Sequence, residues 1–341
     1  MRGNSLASVL TVILNWRTAD MTLRAAEAAR AAMQGISGAI TIVDNASGDG
    51  SFDRMSRAVQ ARGWDKGETP VRVLQSGQNG GFGAGNNHGI RAGLQGDFPA
   101  GQRPDYVYVL NSDAFPEPGA IRTLLGYLEA HPEAGFAGSY IYGEDGAAHQ
   151  TAFRFPSVAG EFESHLRLGL VSRLLRHKIV AMPVPQVTAR AGWMAGASLM
   201  LRQDMLDQIG LFDERFFLYF EETDLMLRGA RAGWQAVYLP ESRVMHIGSV
   251  STGMRQWQRL PGFWLDSRLH YFTKNHGRSG AIAATLAAAL GGGLWRARLL
   301  VQTKERGDPP YYLRDMLKHH FRRRFRPLPE AKNAPVRREK A

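Results

Sequence analysis

The sequence predicts an α/β fold in which a mostly parallel central sheet is flanked by helices on both faces. Three observations carry that expectation. Short β-branched apolar runs recur through the first third of the chain, helical or glycine-rich segments separate them, and polar residues gather where the runs end. Repeated strand, helix, strand order gives parallel pairing, and ligands in such sheets bind beyond the carboxyl ends of the strands.

Ser8 to Leu14 (SVLTVIL) is too short for a helix and suits a central strand. Thr22 to Met33 is rich in alanine and arginine at helical spacing, and Ala39 to Val43 is a second buried strand that ends at Asp44. Val71 to Leu74 and Tyr106 to Leu110 read as further strands, with a helix across Asn86 to Leu94 between them. Phe155 to Val187 has no clean period and contains Pro156, Pro183 and Pro185, so it is expected to be an insertion or a mobile substrate-side loop. Trp193 to Leu201 reads as one strand, Gln203 to Ile209 and Glu221 to Ala232 as helices, and Gln235 to Leu239 as a short strand. No internal repeat is present.

The 341 residues contain no cysteine, which excludes disulfides, thiolate zinc sites and cysteine nucleophiles. Of the net charge of +11, the segment from Arg296 onward carries +9, so a near-neutral body bears a basic tail. That distribution suggests a local electrostatic anchor and argues against a nucleic-acid-binding body. Met1 to Ser8 lacks the features of a signal peptide, so the body is expected in the cytoplasm, peripheral on the inner face of the cell membrane. Ser279 to Trp295 is uncharged and alanine-rich, too short and too weakly apolar for a span of about 20 residues. Interfacial contact is expected there, with Arg296, Arg298, Arg322, Arg323, Arg324 and Arg326 facing anionic lipid heads. A helix packed on the body with a solvated tail is the plainer alternative.

Four clusters could carry chemistry. Asp44, Asn45 and Ser47 follow a buried strand; the carboxylate could accept from a base N–H or a ribose hydroxyl, or the group could be a strand-ending turn. Asn79-Gly80-Gly81-Phe82-Gly83-Ala84-Gly85-Asn86-Asn87 interleaves amides with glycines that let a backbone approach a ligand closely, yet it fails both the dinucleotide and the Walker patterns. Leu110-Asn111-Ser112-Asp113 ends a strand with a lone carboxylate able to hold Mg²⁺ or Mn²⁺ beside a nucleotide diphosphate, or to form an Asx turn. His246 could be a second ligand to that cation. Phe216 to Asp224 sets Glu221 and Glu222 directly behind four aromatic residues, where burial would raise a carboxyl pKa towards that of a general base. Asp224 is also explained as an i,i+4 partner of Arg228.

Taken together and in this order, VILNW (12–16), VDNAS (43–47), NGGFGAGNN (79–87), LNSDA (110–114), WMAGASLMLR (193–202), FDERFFLYFEETDLMLRGARAGW (212–234) and HIGS (246–249) resemble glycosyltransferase family 2, particularly its bacterial rhamnosyltransferase-like members. The likeness spans residues 8 to 275. It implies a GT-A fold over 1–275, with a nucleotide-sugar half at 1–115, an acceptor half at 116–275, and a helical, basic extension at 276–341. It also implies inversion at the anomeric carbon. Asp44 would lie at the nucleobase with the backbone of Asn15 and Trp16 beside it. Asn45, Ser47, Asn79, Gly81, Phe82, Gly83, Asn86, Asn87 and Asn111 would complete the donor side. Asp113 matches the last acid of the family's metal motif, whose first acid is Asn111 here, and His246 the metal- or diphosphate-binding histidine. Glu222 matches the catalytic base, usually Asp, with Glu221 orienting the base or acceptor. Trp193, Gly196 and Asp224 fall on the acceptor side. The partners so implied are a nucleotide-diphosphate sugar, best dTDP-L-rhamnose, and a cell-surface glycan or polyprenyl-linked acceptor. A sugar-1-phosphate nucleotidyltransferase and a non-catalytic sugar-binding or scaffold protein of the same fold are the alternatives.

Overall fold

The computed structural model describes residues 7–97, 103–248, 259–302, 309 and 311–323. The first half runs β1 (Ser8–Asn15), α1 (Ala19–Ala32), β2 (Ser37–Asp44), α2 (Ser51–Ala61), β3 (Val71–Gln75), α3 (Phe82–Ala92) and β4 (Tyr106–Asn111). The strands β3, β2, β1 and β4 lie side by side and parallel, so Asn15, Asp44 and Asn111 end on one edge of the sheet. Alternation within β1 explains why it is central. Val9 and Ile13 join the core that holds Leu23, Ala26 and Ala29 of α1, while Leu10 and Val12 join the core that holds Ile90 of α3. All four are 0% exposed, and each such side chain stabilises the fold by about 1.5–3 kcal/mol.

The second half adds β5 (Ala114–Pro116), α4 (Ala120–Ala130), β6 (Ala134–Tyr142), β7 (Ala152–Phe153), α5 (Val158–Leu166), α6 (Gly169–Leu174), β8 (Ala189–Ala191), β9 (Trp193–Met194), β10 (Ser198–Arg202), α7 (Gln203–Ile209), α8 (Glu221–Arg231) and β11 (Gln235–His246). Here the sheet becomes mixed. β10 runs antiparallel to both β4 and β6, β6 and β11 are parallel, and β5 and β8 pair antiparallel with β11. Two expectations change. The region 155–187 contains two helices and is not a bare loop, and the strand expected over 193–201 is split. Residues 195–197 turn away from β9, which pairs with β7 in a separate two-stranded sheet, before β10 enters the main one.

The helix α9 (Gly262–Gln302) is broken at Gly277, where φ is 72° and ψ 175°. Its two halves fold back on each other. Arg268 on the first half donates to the Ala284 carbonyl on the second at 3.3 Å, and also to Glu161 of α5 at 2.6 Å. A last helix, α10 (Tyr312–Arg323), packs across this hairpin through Leu313 and Met316 against Leu265 and Ala288. No described helix is long and apolar enough to cross a membrane.

Candidate active site

Asp44 sits at the carboxyl end of β2 within a closed polar network. Asn15 Nδ2 donates to Asp44 Oδ1 at 2.7 Å, and the Ser47 hydroxyl donates to the same oxygen at 2.5 Å. The Ser47 N–H reaches Oδ2 at 3.2 Å. Thr22 in turn fixes Asn15 through its Oδ1 at 2.7 Å. Asn15, Asp44, Asn45 and Ser47 are all buried, and half-buried Trp16 carries the Arg17 guanidinium 4.9 Å from its ring centre. Thr18, on the turn into α1, reaches Ser112 at 3.3 Å and so joins this network to the end of β4.

Beyond β4, Asp113 is buried and meets His246 from far along the chain. The short β5 pairs with the end of β11 so that Ala114 stands opposite His246. His246 Nε2 then lies 3.1 Å from Asp113 Oδ1, and the Gly248 N–H donates to Oδ2 at 3.1 Å. Burial alone would raise the Asp113 carboxyl; His246 and the backbone donors outweigh it and hold it below the ordinary carboxylate range. The Asn111 amide approaches the same imidazole nitrogen at 3.3 Å.

The acidic pair enters from α8. Tyr219 and Phe220, immediately before it, both adopt φ of 70°, a left-handed conformation that costs bulky residues roughly 1–2 kcal/mol each. That turn directs Glu222 towards the main sheet, where its Oε1 accepts the Gly196 N–H at 3.0 Å. Glu221 points inward and is 1% exposed, and its Oε2 has no hydrogen-bond partner. Burial raises both carboxyls, and the charge of Glu222 pushes Glu221 further, so Glu222 is the member that ionises first. Gly196 has no room for a side chain, because a Cβ would stand 2.8 Å from Glu222 Oε1 and 2.9 Å from Phe82 Cζ.

These contacts bring the acids at 44, 113 and 222 to one edge. Glu222 is held by Gly196, the adjoining Ala197 carbonyl accepts the Asn111 N–H at 3.0 Å, and Asn111 touches the imidazole that holds Asp113. The glycine-rich loop lies against the same aromatic segment, with the Phe82 N–H donating to the Phe217 carbonyl at 2.9 Å. Gly81, at φ 90°, could not carry a Cβ, which would fall 1.8 Å from that carbonyl oxygen.

Several expected residues do other work. Gly85 is pressed on Leu14 and Gly89 on Val12 and Val43, so these glycines let α3 lie close on β1 and β2. Asn86 and Asn87 are fully buried. Asn87 brackets Phe212, donating to its carbonyl at 2.9 Å and accepting its N–H at 3.1 Å, and also reaches Glu214; Asn86 donates to the Phe82 carbonyl. Asn79 is exposed and ties the Gly81 N–H to Asn45. Asp224, expected on the acceptor side, instead faces α9. It is fully buried among Lys274 at 2.7 Å, Arg228 at 3.0 Å and Asn275 at 3.0 Å. Trp193 stacks on Phe153 with ring centres 4.2 Å apart and donates to the Arg154 carbonyl. Phe263 of α9, close to Phe217 and Tyr219, was not legible beforehand; its signal is only an aromatic residue at the start of a late helix.

The edge of the parallel strands thus gathers a buried carboxylate–imidazole pair, a second carboxyl pair raised by burial and a glycine-rich loop. The family description "Glycosyltransferase like family 2" matches residues 9–260, and the chain belongs to that family. It is therefore a glycosyltransferase, and the nucleotidyltransferase and scaffold alternatives lose their support. It is 33% identical over 224 residues to an N-acetylglucosaminyl-diphospho-decaprenol L-rhamnosyltransferase of Mycobacterium tuberculosis (strain CDC 1551 / Oshkosh), covering 63% of this chain and 68% of that one. It is 26% identical over 167 residues to Rhamnosyltransferase WbbL of Escherichia coli (strain K12), covering 49% of this chain and 60% of the other. Among solved structures, the mannosyltransferase PcManGT from Pyrobaculum calidifontis, in complex with GDP-Man and Mn²⁺, aligns with a TM-score of 0.56 at 12% identity over 94% of this chain and 87% of its own. GalNAc-T7 with UDP, GalNAc and Mn²⁺ aligns with a TM-score of 0.55 at 13% identity, over 96% and 59%. Both likenesses concern the fold, which is the GT-A type.

Proposed function

We propose that this enzyme transfers L-rhamnose from dTDP-L-rhamnose, with inversion, to a hydroxyl of a glycan carried on a polyprenyl diphosphate. The observation that carries the reading is the contact chain from Glu222 through Gly196, Ala197 and Asn111 to the His246–Asp113 pair. It links the buried acidic pair to the carboxylate–imidazole pair through a few residues, and the reading assigns the first to the attacking hydroxyl and the second to the leaving diphosphate. The names of the two bacterial relatives as rhamnosyltransferases support rhamnose as the sugar, and the decaprenol in one of them supports a lipid-linked acceptor.

In this reading Glu222, raised by burial, takes the acceptor hydroxyl proton while the acceptor oxygen bonds to the anomeric carbon. The bond from that carbon to the diphosphate oxygen breaks, and the nucleoside diphosphate departs. Glu221, its carboxyl pushed up by burial and by the charge of Glu222, packs behind the base. Asn15, Asp44, Ser47 and the loop from Asn79 to Gly83 shape the nucleotide end, and Gly196 with Trp193 walls the acceptor end. Among the described residues no cluster of three His, Asp or Glu is ready to hold a cation. The Asp113 carboxylate, a hard oxygen donor, with the borderline His246 Nε2 3.1 Å away, fits a cation such as Mn²⁺ or Mg²⁺ that would take its other ligands from substrate phosphates and water. Such a cation supplies charge neutralisation at the leaving diphosphate. The basic tail would keep the enzyme peripheral on the inner face of the cell membrane, near a lipid-linked acceptor.

The test is a nucleotide-sugar thermal-shift screen followed by transfer assays on wild type and Glu222→Gln. The reading expects dTDP-L-rhamnose to stabilise both proteins and only the wild type to turn over. Stabilisation by a different nucleotide-sugar alone, or turnover by the variant, overturns it.

A further inference from the structure

After the break at Gly277, α9 buries one face and leaves the other bare. Ala281, Ala284 and Ala288 are packed inside, whereas Ile282, Leu286, Leu290 and Leu294 are 38%, 56%, 59% and 49% exposed. Their four-residue spacing aligns them as a stripe. At about 100° per residue, an arc roughly 120° wide from Ser279 to Val301 contains no charged side chain. Water-facing helix surfaces are ordinarily polar, and contiguous apolar surface of this kind marks a docking face.

A second element extends it. Leu170 and Leu174 of α6 are 74% and 76% exposed. Arg298 joins the two helices, donating to the Leu166 and Arg167 carbonyls at 3.2 and 2.7 Å, just where α5 gives way to α6. The cations Arg173, Arg176 and Lys178 are exposed on and directly after α6. Leucines beside a row of cations match the acyl boundary and the phosphate level of an anionic bilayer. The row of cations is the complement of anionic headgroups, which is why the occupant is read as a lipid surface.

We propose that the leucine stripe of α9, with α6, docks this enzyme on an anionic lipid surface. The proposal deepens the lipid-linked acceptor reading and rests on it. The α9 hairpin connects the stripe to the acidic pair, because Ser267 on its first half donates to the Leu218 carbonyl at 3.0 Å and Phe263 meets Phe217 with ring centres 5.6 Å apart. The contact is interfacial, since no described helix is long and apolar enough to span.

The experiment is co-sedimentation of the full chain with phosphatidylglycerol–phosphatidylcholine vesicles and with phosphatidylcholine alone, accompanied by light scattering. Wild type is expected to pellet with the anionic vesicles and much less with the neutral ones. The double variant Leu286→Ser, Leu290→Ser should lower the partition at least about tenfold, and Leu170→Ser, on the other helix, by several-fold. Melting curves check that these exposed substitutions leave the fold intact. A wild type that stays in the supernatant, or variants that partition like it, overturns the proposal. So does a wild-type dimer that the double variant converts to monomer with vesicle binding unchanged, which assigns the face to a second copy. Stabilisation by dTDP-L-rhamnose is read without vesicles on the same proteins. A wild type that fails to bind vesicles but keeps that response rejects the docking face alone, and a wild type that binds vesicles without the response rejects the donor reading alone.

Discussion

Glu222 Oε1 accepts the Gly196 N–H at 3.0 Å, and the missing side chain of Gly196 is what leaves space for that bond. A Cβ at position 196 would press on both Glu222 and the Phe82 ring, so Gly196→Ala is expected to displace the base. Transfer should fall by at least about tenfold, since small misplacement of a reacting group is costly. Nucleotide-sugar stabilisation should persist. Steady-state kinetics beside a thermal shift check the pair, and unchanged kcat would separate Gly196 from the chemistry.

The acidic pair makes a pH prediction. Burial raises Glu222 above the ordinary glutamate range, so as the proposed base it would be protonated, and idle, to a higher pH than a surface glutamate. The acid limb of the kcat profile is expected above pH 4.5, the ordinary value. Glu221 is raised further and holds its proton in the fold while an unfolded chain would release it. The native state thus binds more protons over that window, and stability declines as pH rises through it. Glu221→Gln should flatten this decline in a Tm series, while Glu222→Gln should abolish turnover.

Asp113→Asn and His246→Ala bear on the cation. Each should reduce the extra stabilisation that Mn²⁺ adds to bound donor, read as a Tm difference with and without chelator. Equal metal response in wild type and both variants would place the cation elsewhere.

Asp224 gives a stability prediction. Its carboxylate is fully buried between Arg228 and Lys274, whose side chains are 20% and 24% exposed. Asp224→Ala leaves two cations without that partner and is expected to destabilise by about 3 kcal/mol, the low end for a broken buried pair because both cations reach solvent. Urea unfolding measures it. The neighbouring Asp213 adds an acid sensitivity. Burial would raise its carboxyl, but His270, Arg215 and Lys274 overcome that and hold it far below its ordinary value of 3.8. Its contribution is present above the unfolded value and fades as pH falls below it. Asp213→Asn should therefore make stability less dependent on pH between about 4 and 2.

Local sequence made β1, β2 and β4 legible because each is a mainly apolar run buried on both faces, while β3, at the sheet edge, shows only a short apolar pattern broken by Arg72. Asp44 and Asp113 could be singled out as the acids that end two of those runs. What stayed hidden depends on distant partners. The amides at 86 and 87 read as ligand-facing until α3 is laid on β1 and β2, where Asn87 turns out to grip Phe212. Asp224 looked like a third site acid because Lys274 and Asn275 lie 50 and 51 residues away. The two helices within 155–187 were masked by prolines at either end, and the burial of α5 comes from α9, more than a hundred positions later.

The pairing of β5 with the end of β11 has a consequence for assembly. Asp113 and His246 are 133 residues apart, so a large loop must close before they meet, and such closures come late in folding. A nascent or truncated chain lacking β11 lacks His246 and so cannot form the carboxylate–imidazole pair. Under the proposed cation reading, cation-dependent tightening of the donor would thereby report that β11 is in place.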